Sequence, residues 1–212
     1  MMKFFYFLAI VTTGIFFILY FNLNSAWVIN LDVEASTLLK GNSSIKFFHY
    51  FGDTKFILIV AILLLVWMWI RKHDYRGMMF ILLTIAGGNM LNRLLKVWIH
   101  RPRPVVPHQL SSFSFPSGHA MVGILYLFTI AFLVTEYSSS KTMRILVWSF
   151  AIIMTTLIGL SRIAGSRHFA SDVIAGWSIG YTWFILCVIW YKYRKKNVRA
   201  TSAINIKKGT DQ

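Results

Sequence analysis

Six stretches of this chain contain no Asp, Glu, Lys or Arg: residues 4–31, 56–70, 77–92, 104–135, 145–161 and 173–191. A helix in water keeps a polar face, whereas the hydrocarbon core of a bilayer demands roughly 20 consecutive apolar residues per helix. Of the 212 residues, 57% are hydrophobic and only 14% are charged. An ordinary soluble domain carries about 25% charge. The sequence therefore describes an all-α polytopic membrane protein with no room for a second domain. Its net charge of +15 suits either a nucleic acid or a membrane partner. Nucleic acid is excluded, because basic-patch binders do not bury most of their length in lipid.

Six transmembrane helices fit the spacing, at about 4–24, 54–71, 77–97, 117–136, 143–162 and 171–191. They make residues 1–192 one membrane domain, followed by a basic tail at 193–212. An even number of spans puts both termini on one side, together with the second and fourth loops. That side carries thirteen of the 22 Lys and Arg residues, in short loops and the tail. By the positive-inside rule the termini are cytoplasmic, and the first, third and fifth loops are extracytoplasmic. The basic tail, Lys192 to Lys208, is expected to lie on anionic headgroups.

The N-terminal run is longer than a signal peptide's apolar region and is followed by no A-x-A site, so it is expected to be a retained first helix. Cys187 is alone, so no intramolecular disulfide and no zinc cluster can form. All four prolines, Pro102, Pro104, Pro107 and Pro116, fall in the third loop, which must cross the membrane surface without helix. Within the first loop, about 25–53, acidic and aromatic residues alternate with Leu38 and Leu39, and a short interfacial helix is expected.

Three polar clusters stand where an apolar chain should carry no charge: Lys96 with Arg103-Pro104, Pro116-Ser117-Gly118-His119, and Ser161-Arg162 with His168 and Asp172. In the six-span layout all three lie at the extracytoplasmic ends of their helices. Lys96, Arg103 and Arg162 have no acidic neighbours in sequence, and cations at a membrane surface call for an anion such as phosphate. Pro116 before Ser117-Gly118-His119 reads as a helix start, whose free amides, hydroxyl and dipole suit an anion, and Gly118 admits close backbone approach. His168 and Asp172, four residues apart, share a helix face, so the carboxylate can orient the imidazole as a nucleophile or base. His119 lacks an acidic neighbour and suits a general acid. Singly, each cluster is equally at home as a headgroup anchor or a structural hydrogen bond. Their convergence on one face is what points to chemistry.

The eleven positions of Lys96-x6-Arg103-Pro104, Pro116-Ser117-Gly118-His119 and Ser161-Arg162-x5-His168-x3-Asp172 resemble the three-part signature of the type 2 phosphatidic acid phosphatase (PAP2) family, the membrane branch of a superfamily that includes vanadium haloperoxidases. The resemblance implies a metal-independent lipid phosphatase with no cofactor, working through a phosphohistidine. It makes His168 the nucleophile, Asp172 the residue that orients it and His119 the general acid. Lys96, Arg103, Ser117, Gly118 and Arg162 would hold the phosphoryl oxygens. One position departs from the pattern: many relatives carry glycine two residues before the nucleophile, where this chain has Ser166, with Gly165 one earlier.

The substrate implied is a lipid phosphate arriving sideways from the bilayer. Phosphatidylglycerophosphate is the first choice, ahead of undecaprenyl diphosphate and phosphatidic acid. A non-catalytic lipid-binding or transport protein is the rival from another class, and such a chain is expected to lack one of His119, His168 and Asp172. A haloperoxidase would need vanadate and a soluble scaffold. Among nearby residues, Arg93 shares a helix face with Lys96 and is a candidate contact for anionic substrate. Arg101, Arg167 and Asn92 read mainly as interfacial anchors. His100 and His108 are expected to support the site or be solvated, and His49, His73 and Glu136 to be structural.

Overall fold

The computed structural model describes residues 2–106 and 111–210, and every regular element among them is helical. The order is α1 (Met2–Phe21), α2 (Ala26–Leu39), α3 (Ser43–Lys46), a 3₁₀ turn (Phe47–Gly52), α4 (Thr54–Lys72), α5 (Tyr75–Ile81), a π-helical segment (Leu82–Gly87), α6 (Gly88–Ile99), α7 (Gly118–Tyr137), α8 (Lys141–Ala164) and α9 (Ala170–Thr210). Five helices are long and apolar enough to cross a bilayer, and α4 makes a sixth when joined to the segment before it, from which it bends by 47°. The six expected spans correspond to α1, α4, the composite Tyr75–Ile99, α7, α8 and the first part of α9. The interval 25–53 holds α2, α3 and the 3₁₀ turn, where one short helix was expected. His108 lies outside the described residues.

Helix starts follow the usual capping chemistry. Ser140 Oγ accepts the Met143 amide at 3.2 Å and Asp74 Oδ1 the Gly77 amide at 3.0 Å, each satisfying a donor that the first turn leaves open. α7 is the central helix, with every residue from Ala120 to Leu133 except Ile130 buried. Around it, α1, α4 and α8 turn Phe4, Phe7, Leu58, Leu63, Ile70, Ile145 and Phe150 outward, all more than half exposed. Apolar surface on this scale is compatible with lipid outside and not with water.

α9 packs against both α1 and α7. A Cβ on Gly176 would stand 2.7 Å from the Ser117 carbonyl oxygen, and one on Gly180 would stand 2.6 Å from Ile124 Cγ2. These two glycines, four residues apart, bring α9 onto the start of α7 by the close backbone approach common in membrane bundles. On the other side, Thr12 and Thr13 of α1 each place Oγ1 3.0 Å from Thr182 Oγ1. The π-helical segment is anchored to α9 as well, since Trp183 Nε1 donates to the Leu83 carbonyl at 2.9 Å. Widening one turn in this way rotates everything after it, which sets the face that α6 presents to the interior.

Candidate active site

The sequence clusters come together at one end of α6, α7, α8 and α9. The turn into α9 is built first by the end of α8. There the Arg167 amide donates to the Arg162 carbonyl at 2.9 Å and the Ser166 amide to the Ile163 carbonyl at 2.8 Å. This is a Schellman closure, and its left-handed residue is Ser166, at φ +52°. The position that departs from the family pattern is thus the one where the backbone favours glycine.

His168 follows directly, 4% exposed. Its Nδ1 lies 3.3 Å from Asp172 Oδ2, and its Nε2 lies 3.1 Å from an Arg103 guanidinium nitrogen. Arg103 has only hydrogens to give, so Nε2 is the unprotonated nitrogen and Nδ1–H donates to Asp172. The lone pair of Nε2 therefore points into the site. Burial, with the Lys96 and Arg103 charges added, pulls the His168 pKa down to about 4, against the raising effect of Asp172. Burial likewise lowers the Arg103 pKa from its ordinary value.

Asp172 is completely buried and fully engaged. Its Oδ2 also accepts the Phe169 amide at 2.9 Å, closing the first turn of α9 from the third helical position. Its Oδ1 accepts from Arg101 at 2.6 Å. The other arm of Arg101 donates to Asp32 Oδ2 at 2.8 Å, and the guanidinium lies over the Phe169 ring at 4.3 Å. Asp32, from α2, accepts the amide and hydroxyl of Ser171, both at 2.8 Å. Arg101 is therefore an internal ion-pair partner with an 11% exposed side chain, where the sequence suggested an anchor. Asp32 and Ser171 were missed altogether. The only available signal was a carboxylate in a hydrophobic loop, and its partner lies 69 residues away.

The first turn of α7 forms the opposite wall. The Ser117 amide is used by the Asp172 carbonyl at 2.9 Å, and Ser117 Oγ accepts from the Ala120 amide at 3.5 Å. The hydroxyl proton stays available, as do the amides of Gly118 and His119, which have no partner among the described residues. Asn92 braces this turn by donating to the Pro116 carbonyl at 3.2 Å. A Cβ at Gly118 would stand 3.1 Å from Asn92 Oδ1. The Lys96 ammonium donates to the carbonyls of Phe113 at 2.6 Å and Ser114 at 3.0 Å, so two of its three protons organise the loop. Arg103 is held by Ser112 and by the Arg167 carbonyl at 2.7 Å. Arg162 is buried, and its Nε has no partner among the described residues.

Asn92, Lys96 and Gly118 line one part of a cavity of about 540 Å³, in which His119, Arg103, Arg162 and His168 meet; Ser117 lies buried behind it. The other part is apolar, walled by Ile57, Ala61 and Ile62 of α4 and by Ile81, Ile85 and Ala86 across from them. Of the remaining candidates, Arg167 contributes its carbonyl, His100 packs on Phe113 with ring centroids 4.5 Å apart, and His49 Nδ1 lies 2.8 Å from the Lys46 carbonyl. His73 is the left-handed C-cap of α4.

A cationic pocket at the ends of membrane-spanning helices, with an oriented imidazole inside and an apolar wall, defines a membrane-embedded phosphatase. The PAP2 superfamily model matches residues 77–196. The chain belongs to that family. Over 141 residues it is 33% identical to phosphatidylglycerophosphatase B of Bacillus subtilis (strain 168), covering 65% of this chain and 68% of the relative. It is 32% identical over 114 residues to a PA-phosphatase related-family protein of Dictyostelium discoideum, 49% of this chain and 33% of that one. Its structure resembles the crystal structure of a transmembrane PAP2-type phosphatidylglycerolphosphate phosphatase from Bacillus subtilis, with TM-score 0.78 and 27% identity over 87% of this chain and 96% of that chain. Aquifex aeolicus LpxE shares the fold, with TM-score 0.56 and 24% identity over 74% and 94% of the two chains.

Proposed function

We propose that this membrane phosphatase removes the terminal phosphate of phosphatidylglycerophosphate, with the headgroup at the extracytoplasmic surface and the acyl chains in the bilayer. The observation that carries this reading is the cavity itself: its lining is apolar where α4 and the α5–α6 span contribute and cationic around His168 and His119. A substrate with hydrocarbon at one end and a phosphomonoester at the other matches both parts of that lining. The likeness to the Bacillus subtilis phosphatidylglycerophosphatase supports the choice of headgroup.

In the first step Nε2 of His168 attacks phosphorus and the bond to the glycerol oxygen breaks. His119 protonates that departing oxygen, and phosphatidylglycerol leaves. The imidazolium charge of the phosphohistidine is balanced by Asp172 through Nδ1–H. In the second step water attacks phosphorus, His119 takes its proton, the P–N bond breaks and inorganic phosphate departs. Arg103, Arg162, the Ser117 hydroxyl and the amides of Gly118 and His119 neutralise the phosphoryl oxygens, a form of charge stabilisation that dominates phosphoryl transfer. Arg103 exchanges its contact with Nε2 for a phosphoryl oxygen as substrate enters, freeing the lone pair. Lys96 acts mainly through the loop it ties down. The cations supply the positive charge that a metal ion would otherwise bring, so turnover is expected to persist in EDTA.

The deciding experiment is phosphate release by detergent-purified protein, in EDTA, from phosphatidylglycerophosphate, undecaprenyl diphosphate and phosphatidic acid, with His168→Ala as blank. Highest kcat/KM on the first supports the proposal. Preference for undecaprenyl diphosphate assigns the protein to carrier-lipid recycling instead. Lipid binding without release from any of the three makes it a non-catalytic binder.

A further inference from the structure

Arg93 is a cation that the phosphoryl chemistry above does not use. It belongs to a polar stripe on α6, formed by Asn89, Asn92, Arg93 and Lys96, all of which line the cavity. The opposite face of the helix turns Met90, Leu94 and Trp98 outward, each more than half exposed. Arg93 lies six residues before the end of α6, roughly 9 Å below it at 1.5 Å per residue. Among the described residues it has no hydrogen-bond or ion-pair partner, because the ion pairs found there join Arg76 to Asp74, Arg101 to Asp32 and Asp172, and His168 to Asp172. Arg93 is exposed as well as lining the cavity, and an unpaired guanidinium roughly 9 Å below the helix end calls for an anion from outside the chain. The phosphoryl group to be removed already has Arg103, Arg162 and the α7 amides. Arg93 lines the same cavity as Arg103, Arg162 and His168, together with the apolar residues Ile81, Ile85 and Ala86.

We infer that Arg93 binds a second phosphate of the substrate, so that the site favours lipids carrying two phosphates over lipids carrying only the one to be removed. The inference rests on the reading that this cavity receives a lipid phosphate. The second phosphate is either the phosphodiester of a glycerophospholipid or the retained phosphate of a polyprenyl diphosphate, and the guanidinium suits both by paired N–H donation.

The test compares wild type, Arg93→Gln and Arg93→Lys on phosphatidylglycerophosphate, undecaprenyl diphosphate and phosphatidic acid. The expected result is that Arg93→Gln lowers the kcat/KM ratio of a two-phosphate lipid to phosphatidic acid by about tenfold or more, with only part of the ratio restored in Arg93→Lys, which keeps the charge and loses the paired donors. A fall confined to one of the two diphosphorylated lipids identifies the source of the second phosphate. Equal loss on all three lipids, or none on any, overturns the inference and assigns Arg93 to packing or to bulk headgroups. Wild type inactive on every lipid defeats the phosphatase reading itself and this inference with it.

Discussion

Arg101 and His168 grip opposite oxygens of one carboxylate: the guanidinium meets Asp172 Oδ1 at 2.6 Å, while His168 Nδ1 meets Oδ2 at 3.3 Å. The carboxylate cannot turn without breaking one contact. Arg101 is in turn held by Asp32, so a residue of α2 positions His168, the proposed nucleophile, through two intermediates. Arg101→Gln is expected to lower kcat by about tenfold to a hundredfold, the usual scale for residues that orient a first-contact group, with little change in KM. Asp32→Asn acts in the same direction and more weakly. Steady-state kinetics on mixed micelles read this out, and a loss confined to KM would count against positioning.

The pH dependence of His168 reactivity follows from its environment. An ordinary imidazole loses its nucleophilic form as pH falls through about 6.5. Here the pKa is lowered to about 4, so the neutral form persists across the range above that value and disappears only as pH falls through about 4. Acylation by diethyl pyrocarbonate, quantified at His168 by peptide mapping, is expected to stay flat between pH 8 and pH 5. An inflexion between 6 and 7 would contradict the environment described.

Ser166 is held at φ +52°, a conformation that costs a residue with a Cβ about 1–2 kcal/mol. Ser166→Gly removes that penalty but loosens the unfolded chain, so the net gain is expected to be about 1 kcal/mol or less. The Schellman hydrogen bonds are made by the backbone, so the turn itself survives the change. Ser166→Val is expected to destabilise. Thermal unfolding in detergent ranks the three proteins.

Gly52, at the end of the 3₁₀ turn, lies against the proposed general acid. A Cβ there would stand 2.8 Å from His119 Cδ2 and 2.7 Å from Ile158 Cγ2. Gly52→Ala clashes with both, so either both side chains or the 3₁₀ backbone must shift, and overpacking of this kind costs about 1–3 kcal/mol. A fall in kcat of at least about tenfold is expected, since a small displacement of a reacting group is expensive. Unchanged kcat would count against His119 being held in its working position by this contact.

Much of this protein is legible along the chain because a bilayer is a one-dimensional filter: each span must satisfy its backbone within itself and be apolar throughout. Hence the spans appear as uncharged runs, and the motif residues stand out as polar exceptions at their ends. His168 and Asp172 are readable as a pair because four residues make one helical turn. Arg101 and Asp32 are not, since no periodicity links α2 to the loop after α6, and a lone arginine near a span end has the same appearance whether it meets headgroups or a carboxylate.

Sequence alone therefore established the membrane class and the positions of the spans, and singled out the polar residues that gather at one end of them, because those depend on composition and local spacing. The tertiary structure decided which charges neutralise one another and which line the cavity instead. Arg101 is closed by Asp32 and Asp172, Lys96 is turned onto carbonyls, and Arg93 is left facing the cavity. That partition depends on the π-helical turn before α6 and on the close contact of Gly176 with the start of α7. Charges in a low-dielectric interior are sorted by distances of a few ångströms, and such distances exist only after the helices have packed.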